Sequence, residues 1–335
     1  MYSHTIHKLP LTPLSNSAQF GRQNPLRSQY VEICCQTLSQ NTTCATDFLI
    51  TQIVRMFHLG DRISESFGAA NDDERGRPFL FLLDDHVSAL RTELDLTMTS
   101  LSYDKLLNKL PTFSSANINQ IHRSIVMRYH FLLVRLYEPA TYLRNTTDEA
   151  GNPTSYRTAC LQDCLTAAKN FYEMLAAVPP RDFMYQSLAS LGQATFVMII
   201  TTRLLLIDDV PGWDVGVARQ TLDFPLGMEQ IAMRMYETEK WRKECTEAFI
   251  KEMGIRASEE DLAVGSRYVD IAKKTSWIGN WFKSRIESEE VYERDSMGLP
   301  SVMLPGFAMP GAMQAAGPTW FGGLLDSSVW NFDDV

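Results

Sequence analysis

The sequence predicts an all-α protein, a multi-helix array of long antiparallel helices with a disordered C-terminal tail. Three observations lead there. Apolar residues recur at steps of three and four in segment after segment, which stacks them along one side of a helix. With 335 residues, 45% of them hydrophobic and 21% charged, the chain can bury a large core. Composition then changes sharply near the end, where no Lys, Arg or His occurs from Met297 to Val335.

Residues 1 to 26 hold Pro10, Pro13 and Pro25 among Ser and Asn with no periodic apolar face, so they read as an extended lead-in. A short helix follows at Ser28 to Leu38, and residues 1–45 together form an N-terminal extension. From Thr46, a suitable N-cap, Leu49, Ile53, Met56, Gly60, Ile63 and Phe67 step by four and three along a long amphipathic helix. A charged loop, GAANDDERGRP, precedes a second helical repeat at Leu83, Val87, Leu90 and Leu94, and Leu110-Pro111 ends a short helix.

The most regular stretch is Asn117 to Thr141. Ile118, Ile121, Ile125, Tyr129, Leu132 and Leu136 form its stripe, widened by Val126 and Leu133. Asn117 and Gln120 have capping-box spacing, and Pro139 marks the stop. Arg123, Arg128 and Arg135 are expected on a narrow water-facing side of this core helix. After a polar loop, a helix from Ser155 stacks Cys160, Cys164, Ala168, Phe171 and Leu175 before Pro179-Pro180. Phe183 to Ile207 reads as one long buried helix, broken by Asp208 to Gly212. Gly227 to Cys245 follows with Met228, Ile231, Met235 and Trp241 on one side, and Lys240, Arg242 and Lys243 as a solvated basic spot. Ser258 and Asp261 suit the cap of a last helix in which Tyr268, Ile271, Ile278, Phe282 and Ile286 face inward. The helical domain is thus assigned to 46–290, and 291–335 to a linker and tail.

Net charge of −9 disfavours a chain that grips nucleic acid phosphates itself. The six cysteines have no C-x-x-C pair, and His122 and His130 stand eight residues apart, so no metal or other cofactor is expected; the thiols read as reduced and mostly buried. The N-terminus lacks a basic start followed by an apolar run, so no secretory signal is read and the Asn41 and Asn145 glycosylation triplets are expected to be unused. The apolar window Leu188 to Ile207 contains Gln193 and Arg203, which argues for a buried helix and against a membrane span.

No Gly-rich phosphate loop, G-x-S-x-G elbow or H-E-x-x-H pair is present, so the chain is not expected to be an enzyme. The rival reading is an all-helical enzyme acting on an isoprenoid or other apolar small molecule. It would need Asp72, Asp73 and Glu74, or Asp84 and Asp85, to hold magnesium, but these runs lack a third carboxylate at the fitting offset.

The long helix running into Leu136-Tyr137-Glu138-Pro139-Ala140, the short helix ended by Leu110-Pro111, and the Cys- and Ala-rich helix from Ala159 to Leu175 together resemble the fungal-specific transcription factor domain. That domain is the helical middle region of zinc binuclear cluster regulators. The likeness covers roughly Thr46 to Leu206 and rests on hydrophobic patterns. It implies a nuclear transcription regulator controlling a fungal pathway gene set, although the cysteine spacings do not provide the family's zinc cluster. The DNA reader is then either lost, left out by an incomplete gene model, or supplied by a partner protein, and a homodimer is compatible with the sequence. The tail TWFGGLLDSSVWNFDDV intersperses Trp320, Phe321, Leu324, Leu325, Trp330 and Phe332 with Asp326, Asp333 and Asp334. Acidic residues that keep aromatics solvated are the composition of an activation segment, with transcription coactivators as its expected partner.

Overall fold

The computed structural model describes residues 29–40, 45–68, 80–142, 155–184, 186, 188–253 and 267–296, and every regular element among them is helical. In chain order these are α1 (Gln29–Gln40), α2 (Ala45–Gly68), α3 (Leu80–Ser100), α4 (Tyr103–Lys109) and α5 (Ser115–Tyr137), with a 3₁₀ turn at Glu138–Thr141. There follow α6 (Ser155–Ala176), the single turn α7 (Pro180–Phe183), α8 (Leu188–Leu204), α9 (Val215–Thr221), α10 (Phe224–Met253) and α11 (Arg267–Ser296). The chain divides into two compact units, Met1–Ser284 and Arg285–Val335. In the second, the described residues continue α11 to Ser296, with Arg285 paired to Glu289 one turn on.

Helix α5 is the centre of the first unit and packs against α2, α3, α4, α6 and α8. Ile118, Ile125, Leu132, Leu133 and Leu136 of its stripe are buried, and so are Phe131 and Val134, which lie off it. So many neighbours need a wide apolar arc, and the half-buried Ile121 and Tyr129 lie at its margins. Its cap differs from expectation. Ser114, not Asn117, is the N-cap, and its side chain accepts from the Asn117 backbone N–H at 3.2 Å. The two serines before Ala116 allow the helix to start earlier than the apolar repeat does, and Asn117 falls inside the first turn.

Two further expectations are revised. Phe183 to Ile207 is not one helix: α7 ends at Phe183, and α8 begins only at Leu188. Pro180 occupies the first turn of α7, where its fixed φ suits a helix start, and Phe183 is buried beneath that separate turn. The arginines of α5 do not line a water-facing side either. Arg128 is buried with its guanidinium 4.2 Å from the Phe57 ring centroid and 5.4 Å from that of Phe131. Arg135 lies over Phe196 and Arg123 is 3.6 Å from Asp182, because neighbouring helices enclose the flanks where these long stems run.

Helices α6, α10 and α11 are joined by aromatic rings. Tyr172 meets Phe224 edge-on at 6.2 Å, and Phe224 meets Phe282 at 5.0 Å, both in the favoured T-shaped arrangement. Gly279 allows the close approach of α11, since a Cβ there would stand 3.0 Å from the Met228 Cβ. Asp223 accepts from the Leu226 N–H and so starts α10 three residues before the expected Gly227.

Candidate functional site at the end of the central helix

The segment Leu136 to Ala140 is where the described residues concentrate polar contacts between helices. Leu136, Tyr137, Pro139 and Ala140 are buried. Pro139 cannot continue α5, and the chain tightens into the 3₁₀ turn, which packs on α6 and α8. Each polar group of the segment then finds a partner on a different element. Arg91 of α3 donates from Nη1 to the Tyr137 hydroxyl at 3.1 Å. Arg135 Nη1 pairs with Glu138 Oε2 at 2.9 Å. Arg157 of α6, itself buried, donates from Nε to the Ala140 carbonyl at 2.9 Å.

The Arg91 branch extends further. Its Nε lies 3.0 and 2.9 Å from the two Asp95 oxygens, and Tyr129 donates to Asp95 Oδ1 at 2.6 Å. One arginine and one carboxylate thereby tie α3 to two tyrosines of α5.

The electrostatics describe a brace. Burial pushes the Tyr129 and Tyr137 phenols up to about 12, with the hydrogen bond to Asp95 adding to the effect at Tyr129. Burial, helped by the Arg91 charge, holds His130 down at about 4, so its ring is neutral near pH 7. At Arg91 burial works in the opposite sense, but the bonds to Asp95 and Tyr137 prevail and hold the guanidinium above its ordinary value. Burial also raises Glu138 against the opposing charges of Arg135 and Arg203. Tyr129, Tyr137, His130 and Arg91 therefore keep fixed protonation states across the neutral range, which suits holding helices together.

The proposed tail residues Trp320, Phe321, Leu324, Leu325, Trp330 and Phe332 lie outside the described residues, as do Asp72, Asp73, Glu74, Ser258 and Asp261. Asp85 is exposed on α3; the side chain of Asp84 is outside the described set. His122 packs edge-on against Tyr103, and His130 against Tyr129. Cys160 and Cys164 are buried one turn apart on α6, and burial raises the Cys164 thiol well above its ordinary value. Among the described residues no three His, Cys, Asp or Glu side chains gather as a metal site would need, and no helix is long and apolar enough to cross a membrane. Beside Trp241, Glu239, almost fully buried, takes two hydrogen bonds from Arg242 at 2.8 Å and lies 3.8 Å from Lys243, so the basic spot is paired in part. The Arg91 brace was not anticipated, although Arg91 and Asp95 stand at i,i+4 on a helix face and so carry a local signal.

No family model matches the sequence, and no solved structure matches it. Among curated proteins, the chain is similar to "Transcription factor opdL" from Penicillium oxalicum (strain 114-2 / CGMCC 5302), with 26% identity over 225 residues. The similarity takes in 65% of this chain but only 36% of that protein, so the chain spans little more than a third of this relative's length.

Proposed function

We propose that the chain is the helical regulatory portion of a fungal transcription regulator, with a domain of the fungal-specific transcription factor class followed by an acidic-aromatic activation segment. The observation that carries this reading is the similarity to a transcription factor across about two thirds of the chain. The all-helical fold agrees with it, and so does the part played by Leu136 to Ala140, the segment on which the family likeness rests, as the junction of α3, α5, α6 and α8. On this reading the protein works in the nucleus, its DNA contact is supplied by a partner, and the helical array presents the tail. Trp320, Phe321, Leu324, Leu325, Trp330 and Phe332 enter an apolar groove of a coactivator as a short induced helix, while Asp326, Asp333 and Asp334 keep them solvated until then.

The test is a fusion of the full chain to an unrelated DNA-binding domain, assayed on a reporter. Activation is expected, and replacing Trp330 and Phe332 by Ala should remove most of it, because aromatic anchors dominate such interfaces. A fusion that expresses well and stays silent, or one that is indifferent to both substitutions, would overturn the activation reading.

A further inference from the structure

The C-terminal part of α10 has an unusual distribution of exposure. Its first half is packed, with Met228, Ile231, Ala232, Met235, Thr238 and Glu239 buried, but none of the residues from Trp241 to Met253 is. This stretch is nevertheless amphipathic. Trp241, Cys245, Phe249 and Met253 form a continuous ridge at i+4 spacing, flanked by Ala248, while Lys243, Glu244, Glu247 and Lys251 fall on the opposite side. Phe249 is 57% exposed, Met253 is 59% exposed, and Cys245, one turn before Phe249, is exposed as well. A helix that extends about three turns past its packing gains little from propensity alone, so an exposed apolar ridge there calls for a partner.

We propose that this ridge is a self-association surface, and that its occupant is the same ridge of a second copy of the chain, packed antiparallel about a two-fold axis at the level of Glu247. The register supports this occupant. A two-fold contact must be self-complementary. Around Glu247 the sequence places Trp241 opposite Met253 of the second copy, Cys245 opposite Phe249 and Thr246 opposite Ala248. The two charges bordering the ridge match as well, for Arg242 falls opposite Glu252 of the other copy, twice by symmetry. Arg242 uses Nε and Nη2 to hold Glu239 and does not use Nη1 in that pair. The like-charged pairs this register would create, Lys243 with Lys251 and Glu247 with itself, lie on the far side of each helix. Ridges of i±4n spacing interdigitate in the commonest class of helix packing. A contact of about three turns is at the small end of stable interfaces, so a reversible, concentration-dependent dimer is expected.

The experiment is sedimentation velocity on the full chain across a concentration series, for wild type and for Phe249→Glu and Glu252→Arg, with thermal melts as a control. Both positions are exposed, so melting should be unchanged. Wild type should pass from monomer to dimer, and each variant should associate at least about tenfold more weakly, as expected when an anchor or a matched charge is lost. Cys245 provides a second readout. In this register the two Cys245 residues are offset by four positions, about 6 Å along the axis, so a short bismaleimide should join two chains through Cys245 and fail after Cys245→Ser. A chain that is monomeric at every concentration, a dimer that both variants leave intact, or a Cys245 that does not react in the native protein would each overturn the proposal.

Discussion

Arg157→Met tests whether the junction at the end of α5 holds the array together. Arg157 is only 5% exposed, and its Nε donates to the Ala140 carbonyl at 2.9 Å, joining α6 to the turn that ends the central helix. Burial lowers its basicity, with the Asp209 charge opposing, so the guanidinium sits where loss of a partner is felt. Met keeps most of the stem and its packing but leaves a carbonyl without its donor in the interior. Losing a hydrogen bond made by a charged donor, with the acceptor left buried, costs about 2 kcal/mol. For a domain of this size each kcal/mol moves Tm by roughly 2–4 °C, so a drop of about 4–8 °C is expected in a circular dichroism melt followed at the helical band. A Tm within about 1 °C of wild type would mean that water replaces the guanidinium at no cost and that the junction is not a brace, against the penalty expected for a buried unsatisfied group.

Two more predictions bear on the same core. Leu132 is fully buried on α5, so Leu132→Asp places an unpaired charge in the core and should cost several kcal/mol, enough to unfold or aggregate the chain; a soluble variant with unchanged melting would refute the core assignment. His130 has its folded-state pKa lowered from 6.5 to about 4, so the unfolded chain binds more protons between these values. The corresponding stability is present above pH 6.5 and is lost as pH falls toward 4, and His130→Gln should flatten that slope in urea melts run across the window; an equally steep slope in the variant would assign the effect elsewhere.

What was legible in the sequence follows from what acts locally. Helical periodicity depends on residues three and four apart, so α2, α3, α5, α6 and the inward face of α11 could be read from their apolar stripes. Met56, Ile63, Leu90, Leu94, Phe171 and Phe282 on those stripes are buried, whereas Val54, Leu59, Phe131 and Val134 are buried off them. The break between α7 and α8 was missed because the segment is apolar throughout, and only Pro180 with the buried Phe183 marks it as a separate turn. The arginines of α5 were misplaced for another reason. Whether a guanidinium meets water or the faces of Phe57 and Phe196 is decided by helices distant in sequence. Likewise the bond from Arg157 to Ala140 spans 17 residues with no periodic signature, whereas Arg91 and Asp95 sit one turn apart.

Chromatin occupancy of the full chain in the cells that produce it tests the central claim most directly. Crosslinking and sequencing of the associated DNA should reveal discrete promoter sites. Enrichment no higher than that of an unrelated acidic protein would contradict the assignment to transcription regulation.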